Sequence, residues 1–225
     1  MNFSETELSI LSNFAKINPS QIIKPTGFGA KEPSASIVGV YDFEEEYDFE
    51  PFGIYEVPMF LQALEAFDKP KIDVKADRVV IKEGTSKIQF FTTPLDLIKN
   101  SEVPNIAPKF DKLDCELDFD LPADKLATIF KTAAVFKAKY LFLESDKKGV
   151  RLTVSSDTPG SSANSFEIMI RDNVRSNELD KVVLKIPFSE LRIIPGDYSI
   201  KASAKKISKW TCFNDVVYYV GCMID

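Results

Sequence analysis

The feature that most restricts this chain is that its order of elements runs through the sequence twice. An apolar stripe of Leu8, Leu11 and Phe14, with Ile10 and Ile17 beside it, predicts a first helix. It opens on the capping-box pair Ser4 and Glu7 and stops at Asn18-Pro19. A second long helix is predicted after Pro122, with Leu126, Ile129, Phe130 and Ala133 on one face. Each helix is followed by strand-like stretches, then by a strand that runs into a proline and a short helix. In the first half these are residues 54–57, Pro58 and a helix over 59–67. In the second they are Val182, Leu184 and Ile186, then Pro187 and a helix over 188–193. Val57-Pro58 and Ile186-Pro187 stand 129 residues apart, and the ends of the long helices, Phe14 and Phe136, stand 122 apart. Two similar offsets in 225 residues point to a duplicated α+β domain, each copy of about 110 residues. An α+β fold that simply alternates such elements is the plainer alternative.

The strand signals fit antiparallel meanders. Residues 112–121 alternate strictly, with Leu113, Cys115, Leu117, Phe119 and Leu121 set against Lys and acidic residues. Shorter extended stretches are predicted at 21–24, 37–41, 79–81, 88–91, 140–144, 150–154, 166–170 and 216–220. Ile72, Val74 and Ala76 alternate, as do Tyr198, Ile200 and Ala202, and Gly84 marks a turn. Residues 94–111, with Pro94, Pro104 and Pro108, read as an extended connector. The expected division is therefore 1–93, a connector over 94–111, and 112–225.

Composition removes several classes of function. The chain has no histidine, which excludes Ser-His-Asp and Cys-His catalysis and the commonest zinc sets. Its three cysteines, at 115, 212 and 222, have no CxxC spacing and read as buried structural thiols. Glu44, Glu45, Glu46, Asp48 and Glu50 read as a solvated loop around Tyr47 and Phe49 rather than a metal site. Gly27-Phe28-Gly29 lacks the rest of a phosphate-binding loop, and the serine-rich stretches near 155–157 and 161–162 read as hairpin turns. No catalytic residue, metal or cofactor is expected, and the chain is read as a non-enzyme. The opening residues lack a basic region and an apolar run, and no apolar stretch approaches a membrane span, so no membrane partner is expected.

A net charge of −6 argues against a conventional DNA-binding domain. The exception is the side of the Pro122 helix opposite its apolar stripe, which carries Lys125, Thr128, Lys131 and Thr132, with Lys137 and Lys139 at its end. The first helix adds Ser12, Asn13 and Lys16, and the short helices add Gln62 and Arg192. On the residues alone, an ordinary solvated helix face is the preferred reading. Lys69, Lys71, Lys205 and Lys206, near element ends, carry no clear assignment.

Several stretches carry a resemblance. They are Leu11-Ser12-Asn13-Phe14-Ala15-Lys16-Ile17-Asn18 closing the capped helix, Ile54-Tyr55 before the short helix, and residues 121–136 leading into 141–144. Pro195-Gly196-Asp197-Tyr198 and Val217-Tyr218-Tyr219-Val220 complete the set. Together they span nearly the whole chain, and none is a catalytic signature. On them the sequence resembles the sliding-clamp superfamily, and more narrowly the clamps of tailed phages of the T-even type. The resemblance implies two similar clamp domains per chain, with antiparallel sheets outside and helices lining a ring closed by three subunits. It implies a DNA polymerase processivity factor that encircles duplex DNA without sequence specificity, acting in the cytoplasm of an infected bacterial host. The implied partners are a DNA polymerase, a clamp loader and late-transcription factors.

The residues this assigns to the lining are Lys16, Lys125, Lys131, Lys137 and Arg192, with Lys131 first. The helix over 59–67 departs from the pattern, with Gln62 and Glu65 where many clamps carry lysine. A partner-peptide pocket beside the connector would be walled by Leu97, Ile98, Ile106, Cys222 and Met223, although apolar connector residues serve equally as local anchors. The competing reading is a non-enzymatic phage structural or assembly oligomer.

Overall fold

The first helix, α1 (Glu5–Ala15), begins where its cap is written. Ser4 Oγ accepts from the Glu7 N–H at 3.2 Å, and Glu7 Oε2 accepts from the Ser4 N–H at 2.6 Å. This satisfies two of the donors that every helix start leaves open. In the computed structural model the described residues are 2–98, 105–146, 149–158, 161–175, 182–212 and 215–224. They divide into two compact units, Met1–Pro104 and Asn105–Asp225.

In the N-terminal unit, α1 buries Ile10, Leu11 and Phe14. Four antiparallel strands follow: β1 (Gln21–Lys24), β2 (Gly27–Lys31), β3 (Ile37–Asp42) and β4 (Phe52–Ile54), neighbours in the order β4-β1-β2-β3. Gly39 on β3 has no side chain because the Phe14 ring occupies that space: a Cβ there would stand 2.6 Å from Phe14 Cε1. Edge-on and tilted aromatic contacts extend this core from Phe14 through Phe28, Tyr41 and Phe43 to Tyr47. Helix α2 (Val57–Glu65) starts with Pro58 in its first turn and buries Val57, Phe60 and Leu64. A three-stranded sheet completes the unit: β5 (Lys71–Val74), β6 (Arg78–Glu83) and β7 (Ser86–Phe91). Its inner face packs on α2 through Phe90 and Phe60, ring centroids 5.3 Å apart.

The C-terminal unit opens with the short α3 (Ala107–Phe110), then β8 (Leu117–Leu121) and the long α4 (Ala123–Phe136). Strands β9 (Tyr140–Asp146), β10 (Gly149–Ser155), β11 (Ser165–Ile170), β12 (Val183–Pro187) and β16 (Met223–Ile224) form one sheet in the order β11-β10-β9-β12-β16. Strands β13 (Tyr198–Ser203), β14 (Ile207–Cys212) and β15 (Val217–Gly221) follow β8 in the order β8-β13-β14-β15. All these pairings are antiparallel. The core centres on Tyr198, Trp210 and Tyr218. Their polar ends are satisfied: the Tyr198 hydroxyl donates to Ile194 O at 2.6 Å, and Trp210 Nε1 donates to Ser208 Oγ at 2.9 Å.

Four expectations change. The strand over 112–121 pairs only from Leu117, because β13 ends at Ser203 and its neighbours bond β8's approach by side chain. Ser203 Oγ donates to Asp114 O, and Glu116 Oε2 accepts from the Ala204 N–H, both at 2.6 Å. The helix over 188–193 is a single 3-10 turn, Phe188–Glu190. The paired β-branched Ile193 and Ile194 before Pro195 do not continue it. The strand before Pro58 ends at Ile54, and Val57 already belongs to α2. The described part of the connector is not extended throughout: it holds a 3-10 turn at Leu95–Leu97 and the helix α3, while 99–104 lie outside the described residues.

Candidate nucleic-acid interface

The stripe that buries α4 fixes what its other side presents. Leu126, Ile129 and Ala133 face the core, which leaves Asp124, Thr128, Lys131 and Val135 on the opposite surface. Lys131 is exposed and nearly opposite the buried stripe; Lys125, on the flank, is half-buried. The two are separated by about 9 Å of helical rise. Thr128 between them donates its Oγ1 hydrogen to Asp124 O at 2.9 Å. Val135, 70% exposed, ends the face with an uncharged surface. The helix start is held from a distance: Asp197 Oδ1 accepts from the Ala123 N–H at 2.7 Å.

Lys16 and Lys137 occupy equivalent places as the C-caps of the two long helices, and both are exposed. Lys137 closes α4 in the left-handed conformation, φ 51°. Its N–H bonds to Ala133 O and Ala134 O. A cation at a helix C-terminus is favoured by the helix dipole, so both lysines also have a structural reason for their positions. Arg192 is half-buried beyond the 3-10 turn, and its Nε donates to Ser189 O at 2.9 Å. Neither helix of the N-terminal unit is basic on its outward side: α1 turns out Glu5, Ser9 and Ser12, and α2 turns out Met59, Gln62 and Glu65.

The residues assigned to a partner pocket fall in different settings. Leu97 is 59% exposed, whereas Ile98 is buried against the backbone of Gly53 and Ile106 is half-buried at the start of α3. Cys222 is buried, with its Sγ 3.4 Å from Ser208 Oγ, and burial pushes its thiol up to about 11. Met223 is exposed on β16 opposite Lys185. Sequence reasoning missed two features nearby. The first is an open groove of about 460 Å³ on the N-terminal unit, whose lining includes Phe52, Val74, Ala76, Thr92, Pro94 and Leu95. The second is Phe110, whose ring seats α3 edge-on against Tyr219, 5.7 Å between centroids. Pro108 hinted at that helix start, but nothing in the sequence paired Phe110 with Tyr219. Among the described residues no cluster of His, Cys, Asp or Glu is arranged to hold a metal, and no helix is long and apolar enough to cross a membrane.

No protein-family model matches the chain. A curated relative does: the sliding clamp of Vibrio phage KVP40 is 25% identical over 214 residues, 93% of this chain and 94% of that one. The chain is thus similar to a phage sliding clamp along nearly its whole length. Solved clamps share its fold at lower identity. Proliferating cellular nuclear antigen from Entamoeba histolytica superposes with a TM-score of 0.68 at 13% identity, over 99% of this chain and 97% of that one. The nuclear antigen of A. fulgidus, solved with the C-terminal region of FEN-1, gives 0.70 at 13% identity, over 98% and 96%. Among the outward residues of α1, α2 and α4, lysine stands only on α4, and the second short helix is reduced to one 3-10 turn.

Proposed function

We propose that this chain is one subunit of a ring-shaped DNA polymerase processivity factor, with no catalytic activity of its own. The observation that carries the reading is the 25% identity to a phage sliding clamp along 93% of the chain. The paired helix-and-sheet units supply the parts such a ring needs. Three copies at −6 each would carry −18, so the ring cannot rely on bulk attraction to DNA. Topology holds it instead, and a few lysines steady the duplex through phosphate contacts that carry no sequence preference.

In this reading Lys131 and Lys125 on α4 touch the backbone, with Lys16, Lys137 and Arg192 at the margins. The strand edges β7 and β11 are the candidates for closing the ring between subunits, since each is a sheet edge. Polymerase, clamp loader and late-transcription factors would dock at the connector, where Leu95 and Leu97 are exposed beside the groove over Phe52 and Val74. The setting is the cytoplasm of an infected bacterial host. Primer extension with the cognate polymerase tests the reading. Wild type lengthens the products of each binding event, and Lys131→Glu shortens them while sedimentation still gives a trimer near 3 × 25.3 kDa. No stimulation by wild type would leave the phage structural-oligomer reading standing.

A further inference from the structure

The sheet β5-β6-β7 has one face on α2 and one in solvent, and the solvent face is built against ordinary sheet electrostatics. Lys71 stands directly opposite Lys82, and Lys82 directly opposite Lys87, so three lysines form one row across three strands. Strands lie about 4.8 Å apart, and like charges placed directly opposite each other destabilise a sheet. The next row holds Asp73, Val80 and Gln89, and beyond it Arg78 faces Phe91. Asp73 reaches Lys75 at 3.0 Å and Lys82 at 3.9 Å, and Asp77 holds Arg78 at 2.6 Å. Among the described residues Lys71 and Lys87 have no ion-pair partner. Five cations thus meet two acids on one sheet face of a chain whose net charge is −6.

The C-terminal unit shows the same situation resolved internally. Lys201 stands opposite Lys209 on β13 and β14, but Asp118 reaches Lys201 at 3.8 Å and Asp111 reaches Lys209 at 3.4 Å. One unit therefore pairs both of its lysines with acids, whereas in the other only Lys82 of the row meets an acid among the described residues.

Phe91 adds a different chemistry at the end of that face. Its ring is 66% exposed, with the Arg78 guanidinium 5.1 Å from the centroid, and Arg78 Nη1 also donates to Gln89 Oε1 at 2.8 Å. A row of cations beside an exposed aromatic is the combination that tracks a sugar–phosphate backbone and stacks an unpaired base. A duplex would use the lysines but offers no base face to Phe91. A polyanion also gains affinity with each phosphate it places, through counterion release, which suits a spread of exposed lysines without a pocket.

We propose that the solvent face of β5-β6-β7 is a second nucleic-acid site, specific for single-stranded DNA and separate from the helix face. It goes beyond the clamp reading: the inner face of this sheet, through Ile72, Ile81, Ile88 and Phe90, is the one that meets α2, so the row points away from the helices.

Fluorescence anisotropy of the full-length protein with a labelled oligo(dT) of about 12 nucleotides tests this, within the ~4–16-nucleotide footprints of such platforms. Titrations run at salt from about 50 to 200 mM. Wild type binds at low salt. Lys82→Glu with Lys87→Glu weakens binding by about tenfold or more and lowers the salt slope by about 1–2. Phe91→Ala weakens binding about tenfold with the slope unchanged. Lys131→Glu changes neither. Three results would overturn the assignment: no oligo(dT) binding by folded wild type, equal loss on Lys131→Glu, or full displacement by an equal concentration of a Glu-rich aromatic peptide. Thermal melts of the variants check that they fold. Primer extension with wild type separates the two readings: stimulation of the polymerase without oligo(dT) binding overturns only this proposal, whereas absence of stimulation overturns the clamp reading.

Discussion

In the C-terminal unit the helix α4 turns Lys125, Thr128 and Lys131 outward while the neighbouring sheet pairs Lys201 and Lys209 with acids. In the N-terminal unit α1 and α2 turn Glu5, Ser9, Ser12, Gln62 and Glu65 outward, and a row of lysines stands on β5-β6-β7 instead, of which Lys71 and Lys87 have no ion-pair partner among the described residues. Two copies of one plan have thus placed their positive charge in different layers. Burial constrains the apolar half of each helix and strand. The solvent half is free to diverge.

The cores of the two units differ as well, and the largest predicted effects test that difference. Trp210→Ala should cost about 3–5 kcal/mol, from the vacated volume and the loss of the indole bond to the Ser208 hydroxyl, which keeps its bonds to Val220 O and Cys222 Sγ. Urea unfolding followed by circular dichroism measures it, and a cost under about 1 kcal/mol would show that the Tyr198–Trp210–Tyr218 cluster does not organise that unit. Gly53→Ala acts in the N-terminal unit, where the added methyl would meet Ile98 Cδ1 and Thr93 O. About 1–3 kcal/mol is expected, together with faster hydrogen exchange at Thr93, whose N–H donates to Gly53 O at 2.9 Å. Unchanged exchange would mean that Ile98 does not pin the connector.

Alkaline pH should separate the units by a smaller margin. Burial, and then the Glu7 charge, raise Tyr47 to about 12, and burial pushes Tyr198 and Tyr218 higher still. All three are neutral when protonated, and an unfolded tyrosine titrates near 10. Their stability contribution is therefore complete below about pH 10 and falls as pH rises toward and past the folded values. With two such residues, the C-terminal unit should lose order first. Trp210 fluorescence reports that unit, and a Trp210 signal that persists after the overall dichroism has collapsed would contradict the ranking.

Arg175→Ala is the smallest effect. Arg175 lies along β8, its N–H donating to Asp118 O at 2.7 Å and its guanidinium bonded to Asp118, Asp120 and Ser199. That contact holds the Asp120 carboxyl below its usual range, so its contribution is present above about pH 4 and is lost as pH falls. The cluster is partly exposed, so about 1 kcal/mol is expected in thermal melts at neutral pH. A loss at neutral pH equal to the loss at pH 3 would remove the ion pair from the account.

The repeated plan was legible because it rests on buried residues. Leu11 and Phe14, with Ile10, are buried in α1 as Leu126, Ile129 and Ala133 are in α4, while Leu8 and Phe130 at the stripe margins are half-buried. The capping box on Ser4 was readable because it is local. Asp197 capping α4 and Phe110 seating on Tyr219 were not, because each joins residues far apart in sequence. The lysine row lay between these cases. Glu83 pairs with Ser86 around Gly84, and that two-residue turn places Lys82 opposite Lys87; only the partnering of β5 needed the structure. The helix over 188–193 failed because an apolar run ending in Ile193-Ile194-Pro195 has helical spacing without helical backbone preference.

Retention on topologically distinct DNA tests the central claim most directly. Protein placed by its cognate loader on a nicked circular plasmid should stay bound through gel filtration and should leave when one restriction cut linearises the circle. Equal retention on circular and linear DNA would show a grip by surface affinity rather than encirclement, and would contradict the clamp account.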